Sequence, residues 1–457
     1  MRASLPSGPP APLQIPWHDL LRPGCPCFRP SAPFSTRMGE AALREAAAGT
    51  NGDPIPRPLS IAIHFPGRAR LRDGGGDARS ESLLARLRRE LALLGSCFDR
   101  DRQVEEIHLL NQPLAHFSPE QIRDLLDTVA RHFSFAVTGA PLRLVELIPA
   151  PDQTVNLSAL AAAGISHAAV FADATAGTAS QPPASIRAAA TRIDDCRRQG
   201  IAHVHAHLAG CRNAATPACL LALDAIVSAR PDRITLHQAL RRDSSAADAQ
   251  EAPCVASCAT PCEPSGLREA LFSRLLQSGY QHLGLCSFAL PGDELIQARQ
   301  RNALHCNLLG YSASSDSDLV GVGVGANSHV GATLCQNHRD PAAWEESIDA
   351  GRLPIWRGTQ LSPDDLLRAD AVQQLVCRGQ IDFVDLARAH DIYFQRRFAH
   401  ALERLKSRME EGLVLLTPQG VCATALGQQR LHLLIDCFDE IEGRRIEAAP
   451  CPPPRAP

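Results

Sequence analysis

The chain has 457 residues, with 46 basic and 49 acidic side chains and a formal net charge of -3. This length is sufficient for one large α/β domain and a smaller second domain. Because a near-neutral chain has no strong positive field, we expect neither nucleic acid nor an anionic membrane surface as a partner, and a small molecule or a protein is favoured.

Residues 1–56 are rich in proline, alanine and glycine and predict an N-terminal extension with one short helix near residues 38–49. The first residues lack the apolar region of a signal peptide, and no window is long enough for a membrane span. We therefore expect a cytoplasmic protein whose 16 cysteines are reduced.

From residue 57 to residue 290, strand and helix patterns alternate. Ser118 and Gln121 predict a capping box at the start of one of the helices. Six consecutive βα units indicate an α/β fold with a parallel sheet, closed partly or fully into a barrel, with ligand chemistry at the C-terminal ends of the strands. The predicted strands are "LSIAIHF", "VEEIHLL", "PLRLVELIP", "ISHAAVFAD", "IAHVHAHLAG" and "RITLHQAL".

The second half of the chain has three further parts after a Cys- and Ser-rich insert at 243–266. Residues 291–360 predict a Gly-rich connecting segment. Residues 361–443 predict a small helical or winged-helix-like module, and residues 444–457 predict a disordered tail.

Two segments of this half carry a resemblance to a known family. They contain "LLQSGYQHLGLCSFALPGDELIQARQRNALHCNLLGYSASSDSDLVGVGVGANS" and "NHRDPAAWEESIDAGRLPIWRGTQLSPDD". Their order resembles that of the oxygen-independent coproporphyrinogen III oxidases, radical SAM enzymes of porphyrin and haem biosynthesis. The resemblance implies a radical-SAM-type (βα) barrel followed by that family's C-terminal module.

The resemblance fails at the iron–sulfur motif. In the family, three cysteines spaced C-x3-C-x2-C follow the first strand and hold a 4Fe-4S cluster. The corresponding positions of this chain hold Arg68, Arg72 and Gly75. Because arginine is not deprotonated in proteins and glycine has no side chain, we expect no cluster at these positions.

The resemblance also fails at the second strand. The family's Gly-Gly-Gly, which receives the amino acid part of SAM, corresponds to Leu110, Asn111 and Gln112. Leucine and glutamine side chains occupy space that glycine leaves open. We therefore expect no SAM, no catalytic residues of the family's type, and a pseudoenzyme.

The strand "IAHVHAHLAG" places His203, His205 and His207 on one face. Three imidazoles at this spacing are candidate ligands for a divalent metal or haem, with Glu146 from another strand as a further ligand or a general base. The alternative is that these histidines line a site that has lost its cofactor and are hydrogen-bonded to water.

A weaker metal candidate lies in the insert, where Cys254, Cys258 and Cys262 are spaced C-x3-C-x3-C. Their last interval differs from the family motif, and free thiols on a loop are the favoured interpretation.

These observations favour a noncatalytic protein that binds a tetrapyrrole or a protein partner. One alternative is a metal-dependent enzyme that uses the histidine row. The other is a working coproporphyrinogen III oxidase, an oxidoreductase that would need a cluster elsewhere in the chain and a new SAM pocket.

Overall fold

The computed structural model describes residues 30–66, 77–136, 140–149, 155–174, 181–209, 216–237 and 266–438. In this part of the chain, no helix is both long and apolar enough to span a bilayer. The insert at 243–265 and the tail at 444–457 lie outside the described residues.

The first half consists of one N-terminal helix followed by alternating strands and helices, as the sequence pattern predicts. A short 3-10 turn, Pro113–Ala115, follows the second strand. The elements in chain order are α1 (Glu40–Asn51), β1 (Leu59–His64), α2 (Asp77–Gly95), β2 (Gln103–Leu110), α3 (Pro119–His132), β3 (Ser134–Phe135), β4 (Leu142–Leu147), α4 (Leu157–Ala162), β5 (His167–Asp173), α5 (Ala184–Arg198), β6 (His203–Ala209), α6 (Thr216–Ser228) and β7 (Arg233–Leu236).

The next part changes from parallel to largely antiparallel strands. Its elements are α7 (Leu267–Gln277), β8 (Gln281–Gly284), β9 (Ser287–Ala289), α8 (Glu294–Gln300), β10 (His305–Asn307), β11 (Gly310–Ser312), β12 (Asp318–Gly323), β13 (Asn327–Val330), β14 (Thr333–Asn337), α9 (Pro341–Asp349) and β15 (Ile355–Gln360).

The C-terminal module begins with a long helix and contains a small sheet. Its elements are α10 (Pro363–Arg378), β16 (Gln380–Asp382), α11 (Phe383–His390), α12 (Phe394–Arg397), α13 (Ala399–Glu410), β17 (Val414–Leu416), β18 (Gly420–Ala423), α14 (Ala425–Gln429) and α15 (Leu431–Ile435).

One sheet organises the barrel. Its order is β15-β14-β13-β12-β1-β2-β4-β5-β6-β7-β9-β8, with β3 paired to β2. Neighbours from β12 through β1 to β7 run parallel, and the flanking pairs are antiparallel. The predicted parallel α/β architecture is confirmed, as a partial barrel. Segment 291–360, predicted to be a connection, also supplies four strands of this sheet.

The core lies between the sheet and its outer helices. Side chains that point outward from the parallel strands are fully buried, such as Ile61, Ile107, Val145, Val170 and Val204. Each such side chain contributes about 1.5–3 kcal/mol through removal of apolar surface from water. The capping box predicted for Ser118 and Gln121 is present at the start of α3.

The C-terminal module has its own core. Apolar side chains of α10, α13 and α15 pack together with residues of β8 and α8. The small sheet has the order β16-β18-β17, and the order helix, strand, helices, hairpin is that of a winged helix. This arrangement agrees with the predicted helical module.

A buried carboxyl group joins the barrel helix α2 to the segments around β12, β14 and α9. Glu90 has no exposed surface. Its Oε2 accepts hydrogen bonds from the Gly323 backbone N–H (2.8 Å) and the Trp344 indole (3.0 Å), and its Oε1 accepts one from Asn337 (2.7 Å). Burial raises the pKa of Glu90 to about 8, although the three donors act to lower it.

We predict that Glu90 makes the free energy of unfolding depend on pH. Because the pKa is higher in the folded chain than in the unfolded chain, the stability that the neutral group contributes is present below about pH 4.5 and is lost as the pH rises to about 8. For one proton, the free energy of unfolding changes by at most about 1.4 kcal/mol per pH unit. Glu90→Gln cannot ionise and should therefore reduce this slope.

Urea denaturation at successive pH values measures this slope. Glu45→Gln on the exposed face of α1 is the matched control and should behave as the parent chain. An unchanged slope in Glu90→Gln would contradict the prediction.

Candidate functional site

The lumen of the barrel is lined by the inward-facing residues of the parallel strands. One row in register consists of Ala62, His108, Leu144, His167 and His203. Because side chains of paired residues lie on the same face of a sheet, all five project from the lumen face. In this row the lumen wall is therefore apolar at β1 and β4 and carries imidazoles at β2, β5 and β6.

The next row contains charged groups. Glu146, Ala169, His205 and Arg233 are in register across β4, β5, β6 and β7. Thus Glu146 and His205, which the sequence places on different strands, face the same lumen with one strand between them.

An apolar cluster lies between these polar groups. It comprises Ala62, Leu110, Leu144, Ala169 and Leu319. The tip of the β10–β11 hairpin, formed by residues 308 and 309, is partly buried against it. The lumen therefore combines an apolar surface with a histidine-rich wall.

The end of β2 is closed by groups of the chain itself. Leu110 is fully buried, and Asn111 and Gln112 adopt left-handed backbone conformations, with φ of 65° and 56°. The Asn111 backbone N–H donates to Glu146 Oε2 at 2.6 Å. Since Glu146 is only 7% exposed, this hydrogen bond holds a buried carboxyl group against the turn.

A cavity of about 20 Å³ remains beside this turn. Its lining includes Gln112, Leu114, Glu146, Pro149 and Arg192. A cavity of this size accommodates about one water molecule.

The three histidines of β6 lie on one face, as predicted, but His207 has different neighbours from His203 and His205, which both contact His167. The His203 ring stacks on His167 with centroids 4.5 Å apart, and the His205 ring meets His167 edge-on at 5.6 Å. His207 stacks on Phe171 at 4.5 Å. Its Nδ1 is 2.7 Å from Nε2 of His237, which is a hydrogen bond between two imidazoles.

Charged groups at α8 complete this wall. Arg233 donates to Asp293 Oδ2 (2.8 Å) and to Glu294 Oε1 (2.6 Å), and Glu294 Oε1 also lies 3.5 Å from His167 Nε2. The nearby His167, together with Arg233, lowers the pKa of Glu294 to about 2. The sequence gives no signal for this contact because α8 follows the parallel strands and is not part of their pattern.

Burial determines the charge state of the histidines in this wall. It lowers the pKa of His205 well below its usual value, and the charge of Arg233 acts in the same direction. Burial also lowers the pKa of His167, although Glu294 opposes this effect. Both imidazoles are therefore neutral at pH 7.

A second polar network lies inside the barrel at β2. Glu106 Oε2 is 3.0 Å from His108 Nε2, and the Ser312 hydroxyl donates to Glu106 Oε1 at 2.5 Å. Burial disfavours the charged carboxylate, but the hydrogen bonds and charge of His108, with hydrogen bonds from Ser312 and Ser314, lower its pKa to about 2. Glu106 and His108 are two residues apart on a strand and therefore share a face. This E-x-H spacing is the sequence signal that could have identified the pair.

Within the described ranges, no group of three or more His, Cys, Asp or Glu side chains is placed to hold a metal ion. A metal site formed by His203, His205, His207 and Glu146 stays a prediction. The positions Arg68, Arg72 and Gly75 and the cysteines Cys254, Cys258 and Cys262 lie outside the described residues.

Comparisons with known proteins place the fold in a class. The solved structure of coproporphyrinogen III oxidase from Escherichia coli, described as a radical SAM enzyme, matches with a TM-score of 0.78 over 90% of this chain and 96% of that chain, at 24% identity. The barrel and its C-terminal module therefore have the radical SAM coproporphyrinogen oxidase fold. No protein-family model matches the chain.

Several curated relatives carry the name oxygen-independent coproporphyrinogen III oxidase. The protein of Pseudomonas aeruginosa is 26% identical over 405 residues, 84% of this chain and 85% of the relative, and that of Helicobacter pylori J99 is 23% identical over 423 residues, 89% and 91%. The alignment with the Escherichia coli K12 protein is 33% identical over 180 residues and spans only 39% of each chain. The chain is therefore similar to oxygen-independent coproporphyrinogen III oxidases over most of its length.

We predict that the turn after β2 is strained because it lacks glycine. A non-glycine residue in a left-handed conformation costs about 1–2 kcal/mol. Replacement by glycine removes this strain but costs about 0.5–1 kcal/mol, because glycine loses more conformational entropy on folding. Gln112→Gly should therefore stabilise the chain by roughly 0.5–1 kcal/mol, and Asn111→Gly by less, because asparagine tolerates this conformation.

Thermal or urea denaturation measures both changes. Asp391→Gly, at another left-handed position in the C-terminal module, is the matched comparison and should also be stabilising. A loss of stability in Gln112→Gly would contradict the prediction. It would show that the Gln112 side chain stabilises the fold by more than the left-handed backbone destabilises it.

Proposed function

We propose that this chain is a noncatalytic member of its family that binds a tetrapyrrole in the barrel lumen and contains neither a 4Fe-4S cluster nor SAM. The observation that carries the proposal is the closed end of β2. There the Leu110 side chain is buried, the Asn111 backbone N–H donates to the Glu146 carboxyl group, and a small cavity of about 20 Å³ lies beside the turn.

The donor groups present do not fit the family's cofactors. The carboxylate at Glu146 already accepts the Asn111 N–H at 2.6 Å, and the neighbouring cavity is far smaller than a nucleoside. In the sequence, the three cluster positions hold two arginines and a glycine, none of which ligates iron. We therefore derive no reaction step through a cluster or SAM.

The lumen supports a tetrapyrrole as the ligand class. The relatives are named for their action on coproporphyrinogen III, a tetrapyrrole. In this chain, an apolar surface around Leu144 and Ala169 faces a wall that contains His203 and His205. Apolar contact with the macrocycle, together with imidazoles that can hydrogen-bond or ligate a central metal, is the chemistry that such a lumen offers.

A protein partner is the second candidate, and the exposed apolar residues of the C-terminal module favour it. Tyr393 is 83% exposed, Leu415 57% and Val384 55%. Large apolar side chains with this exposure are typical of contact surfaces when they lie together.

We predict that anaerobic reconstitution with iron and sulfide leaves the chain without a cluster. Iron and acid-labile sulfide should stay below about 0.1 equivalent per chain, because tight sites retain stoichiometric metal. The matched variant Arg68→Cys/Arg72→Cys/Gly75→Cys restores the family's three ligands and should retain more iron. Stoichiometric iron and sulfide in the unchanged chain would contradict the proposal.

We also predict saturable binding of coproporphyrin III, the stable oxidised probe, with a dissociation constant on the order of micromolar. Titration followed by the Soret band and by fluorescence measures this binding. Ala169→Trp should fill the lumen and weaken binding at least about tenfold, whereas Ala399→Trp on the exposed face of α13 should not. Absence of saturable binding would exclude the tetrapyrrole and leave the protein partner.

A further inference from the structure

The β10–β11 hairpin is a structural element apart from the large sheet. It forms a two-stranded sheet of its own, in which Cys306 pairs with Tyr311 and Asn307 with Gly310. Residues 308 and 309 therefore form its loop. Because a two-stranded hairpin is only marginally stable in water by itself, the position of this hairpin depends on its contacts with the rest of the chain.

The loop of the hairpin consists of two leucines, Leu308 and Leu309, which we call the tip. Loops of short hairpins that face solvent usually contain asparagine, aspartate or glycine. Here the flanking residues supply the turn chemistry. Asn307 Oδ1 accepts the Leu309 N–H at 2.8 Å, and Gly310 has a positive φ of 118°. The turn does not need the two leucine side chains, which are instead placed to meet other apolar groups.

The tip lies in the lumen of the barrel. Leu308 and Leu309 pack against the apolar cluster, to which five different strands contribute one residue each. The contributing residues are Ala62 of β1, Leu110 of β2, Leu144 of β4, Ala169 of β5 and Leu319 of β12. The other face of the strands is covered by the outer helices, so the tip reaches this cluster from the lumen side. Both leucines remain partly exposed.

The base of the hairpin is anchored by polar contacts. Ser312 is 7% exposed, and its hydroxyl donates to Glu106 on β2 at 2.5 Å. The Tyr311 hydroxyl donates to the carbonyl oxygen of Val376 on α10 at 3.2 Å. These hydrogen bonds are directional, whereas the tip meets the barrel through apolar contact, which is not. The tip can therefore leave its position while the base stays in place.

Space for such a movement lies beside Gly310. Apart from its chain neighbours, no atom of the described residues lies within 4 Å of the position that a Cβ would take there. Glycine adopts backbone conformations that other residues avoid, so rotation at Gly310 can redirect the tip without steric strain.

We propose that the tip is a resident occupant of the lumen, which an apolar ligand displaces in order to reach the apolar cluster. The proposed tetrapyrrole would use the surface around Leu144 and Ala169, and the tip packs on this same cluster. The tip and the macrocycle therefore compete. Competition with a tetrapyrrole rests on the proposed function, whereas displacement of the tip by another apolar ligand does not.

The tip lowers the apparent affinity of the lumen for its ligand. The apparent dissociation constant equals the intrinsic constant divided by the fraction of molecules in which the tip is displaced. Serine in place of both leucines removes the apolar contact that holds the tip and raises this fraction. The apparent dissociation constant should then fall at least about tenfold.

Titration of the full chain with coproporphyrin III, followed by the Soret band, tests the proposal. Leu308→Ser/Leu309→Ser should bind at least about tenfold more tightly than the parent chain. Leu415→Ser/Leu426→Ser makes the same change at two exposed leucines of the C-terminal module, 57% and 39% exposed, and should bind like the parent. An unchanged or weaker affinity in the tip variant would overturn the proposal.

The apolar dye 8-anilinonaphthalene-1-sulfonate separates failure of this proposal from failure of tetrapyrrole binding. If coproporphyrin III binds neither chain, the proposed function fails, but Leu308→Ser/Leu309→Ser should still enhance the fluorescence of the dye more than the parent does. Ala169→Trp, added to the tip variant, should remove this gain because it fills the lumen. A missing gain, or a gain that Ala169→Trp leaves intact, would then overturn displacement of the tip.

Circular dichroism checks that the tip variant is folded. If it is not, Leu308→Ala/Leu309→Ala shortens both side chains without adding polar groups and replaces it in both titrations. The smaller loss of apolar contact should tighten binding about threefold, and an unchanged or weaker affinity would again overturn the proposal.

Discussion

The alternation of side chains along the parallel strands is the constraint on which this molecule depends. Val145, Val170 and Val204 point outward and are completely buried against the helices, whereas their neighbours Glu146 and His205 point into the lumen. Removal of apolar surface from water on the outer face stabilises the barrel. Because the inner face contributes little of that core, its residues can change while the framework persists.

Several polar groups of the lumen are paired with one another, whereas the buried Nε2 atoms of His167 and His205 have no hydrogen-bond partner among the described residues. His207 and His237 share a hydrogen bond, Arg233 lies between Asp293 and Glu294, and Glu146 accepts the Asn111 N–H. Such pairing satisfies buried polar atoms that would otherwise destabilise the fold.

The sequence predicts the parallel strands, the capping box at Ser118 and the shared face of His203, His205 and His207, because these features depend on local periodicity and on side chains a few residues apart. It does not predict which groups meet across strands. Glu294 reaches His167, and β12 pairs with β1, through contacts between distant parts of the chain that leave no local pattern. Nor does it predict the left-handed backbone of Gln112, since glutamine rarely adopts this conformation, which asparagine tolerates at Asn111.

The most direct test of the proposed function is whether the chain cleaves S-adenosylmethionine under anaerobic, reducing conditions after reconstitution with iron and sulfide. We expect no 5′-deoxyadenosine above the level given by the reagents alone, whether or not coproporphyrinogen III is present. Formation of 5′-deoxyadenosine in amounts that reach or exceed the amount of protein would show that the radical chemistry of the family persists in this chain and would contradict the account.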